Sequence, residues 1–152
     1  MFRCAVIFLF ALLAGPHAGA QDPAPVVKKA DGAKAVRQAR SLAHELAAAG
    51  SYGQRAALWE CQLDGDAVAV VPVQLYAGNT YQLAVGFDEP SAVIGLSVFD
   101  SRGKLVPGGV QRGQGRMVFQ VKPTRSGVFS VRLRLADDAV SNAAAALTYV
   151  YK

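Results

Sequence analysis

From Gly53 to the end of the chain, apolar and polar residues alternate with a period of two, the repeat of strands with one face buried. Trp59, Cys61 and Leu63 share one face, Glu60 and Gln62 the other, and Asp64-Gly65-Asp66 turns the chain. Val71, Val73 and Leu75 form the next row, which ends at Ala77-Gly78-Asn79. Tyr81, Leu83, Val85 and Phe87 are opposed by Thr80, Gln82, Ala84 and Gly86, and Glu89-Pro90-Ser91 breaks that run. Ile94, Leu96 and Val98 lead to the turn Asp100-Ser101-Arg102-Gly103. Met117, Phe119 and Val121 follow, and after a tight connection over 123–127 come Phe129, Val131, Leu133 and Leu135. Two stretches lack the rhythm. The glycine-rich 107–115 reads as a flexible hairpin loop, and 137–144 as an excursion of polar and small residues before Leu147, Tyr149 and Tyr151 close the chain.

Seven or eight short strands, each apolar on one side, must bury those sides against one another. The spacing therefore predicts an all-β, antiparallel β-sandwich over 54–152, with a small barrel as the competing topology. Ahead of it, Val36, Ala39, Leu42, Ala43 and Leu46 recur at three- and four-residue intervals. This predicts one short N-terminal α-helix over 31–50, with Asp31 as its N-cap and Gly50 placed to end it. Its stripe is narrow and rich in alanine, so it should be a peripheral helix docked on something larger, or one awaiting a partner. Pro23 and Pro25 make 21–30 an extended linker.

Residues 1–20 have the layout of a secretory signal: Arg3, an apolar run from Cys4 to Gly15, and Ala18-Gly19-Ala20 as the cleavage site. The run is far shorter than the roughly 20 residues a bilayer needs, so no membrane span is expected. The product should be periplasmic or secreted.

The segment Leu75-Tyr76-Ala77-Gly78-Asn79-Thr80-Tyr81-Gln82-Leu83 is similar to a turn-and-strand motif of the bacterial pre-peptidase C-terminal (PPC) domain family. Leu96, Val98, Asp100 and Gly103, within 94–106, resemble that family's central hairpin, and 123–133 resembles its "p-x-x-s-G-x-y-x-v-x-v" segment, with Phe129 where tyrosine is common. About the last 86 residues thus resemble PPC domains and their jelly-roll relatives in motif order and spacing. The resemblance implies a jelly-roll-like sandwich that accompanies exported proteins as a binding or stabilising appendage, and it supplies no catalytic residues.

Composition narrows the chemistry. With 52% hydrophobic and 18% charged residues the chain is not disordered, and its formal charge of +5 is mild. Cleavage after Ala20 leaves one cysteine, Cys61, and one histidine, His44. Zinc chemistry lacks ligands and a nucleophile lacks a base, so no enzyme is expected. Cys61 reads as a buried thiol, with an intermolecular disulfide as its alternative. No cofactor is required; calcium is conceivable if Asp64, Asp66, Asp88, Asp137 and Asp138 converge from separate loops.

The outward residues are more suggestive. A hairpin of 117–122 with 128–135 would place Gln120, Lys122, Ser130, Arg132 and Arg134 on one solvent face, a basic patch for an acidic partner. Arg112 and Arg116 could cradle an anion in the glycine-rich loop. Trp59, Tyr81, Phe87, Phe119, Phe129, Tyr149 and Tyr151 fall in the inward phase, leaving Tyr52, Tyr76 and Phe99 for contacts outside. Nucleic-acid binding would need more charge and more exposed aromatics. The reading is an exported non-catalytic binding or accessory subunit that holds a protein partner in the cell envelope by a sandwich surface. Its alternative is a glycan- or envelope-binding module, a polysaccharide lying in a groove formed by Tyr76, Tyr52 and the loops near Gly108. Amino-terminal sequencing of the exported protein should begin at Gln21; retention of residues 1–20 would refute the leader.

Overall fold

A computed structural model describes residues 31–152, so the leader and linker at 1–30 lie outside the described residues. Helix α1 spans Gly32–Gly50, and the Asp31 carboxylate accepts from the Lys34 backbone N–H at 3.1 Å, as its N-cap position requires. Strands follow at Gly53–Gln54 (β1), Trp59–Asp64 (β2), Ala69–Leu75 (β3), Tyr81–Phe87 (β4) and Val93–Phe99 (β5). The others are Leu105–Gln114 (β6), Arg116–Val121 (β7), Gly127–Leu135 (β8) and Asn142–Tyr151 (β9).

They form two antiparallel sheets. In one, β1 and β2 both pair along β9, followed by β4 and β7; in the other the order is β3-β8-β5-β6. The pairings are nested: β5 with β6, β4 with β7, β3 with β8, and β2 with β9. The chain is thus doubled back about the β5–β6 turn and rolled up, the jelly-roll form of a sandwich. At that turn Asp100 Oδ1 accepts from the backbone N–H groups of Arg102 and Lys104, both at 2.9 Å. Gly103 takes a φ of +76°, where a side chain would be strained. Between the sheets the inward rows meet in one core, with Leu63, Val73, Leu83, Phe87, Leu96 and Leu133 all buried.

The alternation misleads in three places. First, the face of β4 opposite that core is not wet. Ala84 and Gly86, with Ala144, Ala146 and Val150 of β9, are covered by α1 through Ala35, Ala39, Leu42 and Ala43. The molecule therefore has three layers: helix, covered sheet, open sheet. Second, the excursion over 137–144 ends early, because β9 begins at Asn142 and its alanines are buried on both sides. A strand buried on both faces has no period-two contrast to read. Third, the glycine-rich stretch is no loop but β6, the edge of the open sheet, largely exposed and so equally without an apolar rhythm.

The helix approaches so closely because the sheet beneath it presents alanine and glycine. A Cβ built on Gly86 would collide with the backbone of Ala35 and Ala39. Gly86→Ala should therefore cost about 1–3 kcal/mol in urea unfolding, the usual penalty of overpacking. Limited proteolysis should then cut first within 32–50; wild-type stability in this variant would refute the tight seam.

Candidate functional site

The two outer faces of the sandwich differ. That of the covered sheet carries α1, fixed at both ends by polar contacts. At the helix start the buried Asp88 carboxylate accepts from the Asp31 backbone N–H at 2.5 Å and from the Ala144 N–H at 2.7 Å. Toward the other end Glu45 pairs with Arg116 of β7 at 2.6 Å, and that contact holds the Glu45 carboxyl below its ordinary range. Arg116 therefore belongs to the helix clamp.

Among the described residues no element covers the outer face of the open sheet. Six large apolar side chains, Val68, Val70, Tyr76, Leu105, Val110 and Val128, are between 42% and 63% exposed, and all six follow its outward phase. Val68 and Tyr76 continue the phase of Val70 beyond the ends of β3. The register aligns Val70 with Arg132, Arg132 with Ser97, and Ser97 with Val110, so one row runs from an edge valine through an arginine and a serine to a valine on the other edge. None of the four strands of this sheet contains an Asp or Glu, whereas they carry Arg112, Arg132 and Arg134. Arg132 stands 4.3 Å over the Phe99 ring, a cation–π contact that holds the guanidinium near the sheet. Gly95 pairs with both Arg134 and Arg112, and the Arg134 stem crosses its bare backbone. Among the described residues neither Arg112 nor Arg134 has a carboxylate partner.

The expected basic patch is thus split. Strands β7 and β8 lie in different sheets, since the 122–126 connection crosses between them, and they form no hairpin. Arg132, Arg134 and Ser130 face outward on the open sheet, while Gln120 and Lys122 stand at a corner cleft. Arg112 and Arg116 are likewise divided, one on each sheet, and make no anion cradle. Tyr76 joins the open face. Tyr52 is on the opposite side, beside α1, where Gln82 donates to its hydroxyl at 2.9 Å and Lys152 lies over its ring. Tyr76 and Tyr52 consequently line no common groove with Gly108. What the alternation left unremarked is the outward valines, although Val70, Val110 and Val128 stand where polar residues are usual.

Asp66, Asp137 and Asp138 line one shallow cleft, Asp64 ends β2, and Asp88 is committed to the helix. Among the described residues no three His, Cys, Asp or Glu side chains are placed to hold a metal. His44 is exposed on α1. Cys61 is a free, half-buried thiol aimed at the Ala145 carbonyl at 3.7 Å, and burial raises its pKa. No described helix is long and apolar enough to cross a membrane.

No protein-family model matches the chain, and no curated protein matches it. Among solved structures, the periplasmic lysozyme inhibitor PliG of Aeromonas hydrophila, which acts on g-type lysozyme, is similar at 18% identity and a TM-score of 0.45. That similarity covers 66% of this chain and 89% of PliG. An arabinose-bound α-L-arabinofuranosidase is similar at 10% identity and a TM-score of 0.37, over 69% of this chain and 23% of the enzyme. Neither likeness is close enough to carry a function across.

Asp88→Ala would leave two backbone N–H groups without their acceptor and should cost about 2–4 kcal/mol, whereas Asp88→Asn, which keeps one carbonyl oxygen, should cost roughly half as much. Equal urea midpoints for the two variants would contradict the double role of the carboxylate.

Proposed function

We propose that this chain is an exported, non-catalytic binding protein that holds a protein partner on the outer face of its open sheet. One observation carries the reading: every large exposed apolar side chain among the described residues lies on that face, while the opposite face is covered by the protein's own helix. Large exposed apolar side chains gathered on one face of a sheet mark an interaction site. The three arginines, unbalanced by any acid in the sheet, give that site a sign. The partner presents carboxylates around an apolar centre, and Arg132, already held on Phe99, is placed to meet one of them without much further loss of side-chain freedom.

The geometry gives no comparable support to catalysis. Cys61 lies on the core side of β2 with its thiol kept protonated by burial, and His44 stands on the solvent side of α1. Export rests on the leader expected at 1–20, which would deliver the protein to the periplasm or the medium.

A photo-crosslinking residue at Val110 or Val128 should capture one protein stoichiometrically from the envelope fraction, and the same residue at Arg40, on the solvent side of α1, should capture none. The double variant Arg132→Glu, Arg134→Glu should abolish capture while the melting curve stays that of the parent. Equal capture at Arg40, or an adduct of twice the chain's own mass from Val110, would overturn the reading.

A further inference from the structure

A second site lies where the two sheets part. Strands β6 and β7 are the neighbouring edges of the open and covered sheets, joined through Gly115 and diverging toward Leu105 and Val121. At that corner is a cleft of about 660 Å³, closed at one end by the 100–104 turn and at the other by the 122–125 connection. This is the size of cleft that takes small ligands rather than a flat protein surface. Its wall is apolar through Val106 and Pro107 and through Leu105, where the open face meets the cleft, over a floor that includes Phe129. Its rim is cationic: Arg102, Lys104, Lys122 and Arg125 stand against a single carboxylate, Asp100. That carboxylate is already occupied by the Lys104 and Arg102 backbone N–H groups and by the Arg102 guanidinium at 3.5 Å. It therefore offsets Arg102 and leaves Lys104, Lys122 and Arg125 as the rim cations without a carboxylate partner among the described residues.

We propose that this cleft binds a small anionic amphiphile, with its acidic head group among Lys122, Arg125 and Lys104 and its apolar body along Leu105, Val106 and Pro107. Neither half of the cleft suffices alone. The cations are exposed and strongly screened, so a bare anion gains little from them. The apolar wall is short, so an uncharged chain gains little from it.

Octanoate is a suitable probe, with 1-octanol and inorganic phosphate as its separated halves, titrated into the isotopically labelled protein and followed by amide chemical shifts. Octanoate should shift the amides of 100–108 and 120–125 saturably, with affinity falling as salt is raised. Octanol and phosphate should each bind at least about tenfold more weakly, and Lys122→Glu with Arg125→Glu should weaken octanoate by about tenfold, the worth of two exposed contacts. Shifts outside the cleft, octanol or phosphate binding as tightly as octanoate, or an unchanged double variant would each overturn the proposal. So would co-sedimentation with phosphatidylglycerol vesicles that the double variant abolishes, because the cleft would then read the head groups of a membrane and not a free small molecule. The variants Arg132→Glu and Arg134→Glu should leave octanoate binding unchanged, which keeps this site separate from the protein-binding face.

Discussion

The seam between α1 and the covered sheet decides what the rest of the molecule can do. A sandwich has two outer faces, and a helix can be laid on one only if its backbone comes close to the strands. Here the sheet offers Ala84, Gly86, Ala144 and Ala146, the helix offers Ala35, Ala39 and Ala43, and at Gly86 there is no room for even one methyl group. Small side chains contribute little buried area each, so such a seam is stabilised by closeness and continuity rather than by bulk. The polar contacts at its ends then fix direction. Asp88 ties the helix start to β9 by accepting from the Asp31 N–H and from the Ala144 N–H, the second of which would otherwise be buried without a partner, and Arg116 meets Glu45 further along. Of the two, the buried carboxylate matters more. The Arg116 pair is half-exposed on both sides and contributes little in water.

With one face consumed in this way, the asymmetry of the other becomes informative. Outward valines on β3, β6 and β8 have no covering element among the described residues, and the arginines between them have no acidic counterpart within the sheet. A surface selected only for solubility would intersperse both signs and expose fewer large apolar side chains on one face. The helix that could have masked such a face lies on the opposite side of the molecule.

The amino-acid pattern disclosed the sandwich because β2, β3, β4, β5, β7 and β8 each send alternate large side chains into one core. The rows of Tyr81 to Phe87 and of Phe129 to Leu135 could be assigned to the inside by phase alone. Legibility failed where burial is two-sided or absent. The alanines at 143–146 are buried on both faces, and β6 is buried on almost neither, so each lacks the contrast that alternation needs. The site was harder still. Phase shows that Arg132 and Arg134 point outward, but which other outward residues join them depends on the order of strands. A connection as short as 122–126 suggests a hairpin, yet in a jelly roll it crosses between sheets and sends Lys122 to a corner instead. Tyr76, Arg112, Arg132 and Arg134 do share a face, through pairings with β5 and the phase of β3 that no local motif reports.

The edges of the open sheet bear on how a partner can be held. An exposed edge strand ordinarily invites another strand to pair with it, and that mode would need no side-chain chemistry on the face at all. Here both edges are poorly suited to it. β3 has Pro72 in its middle, which removes a backbone donor. β6 carries Pro107 and Arg112, and its register with β5 shifts between Ser97 and Phe99, so its outer side offers no long regular ladder. Strand addition is thereby discouraged on either side, and the face between the edges, with its valines and its arginines, is left as the surface through which this sheet can recognise another protein by side chains.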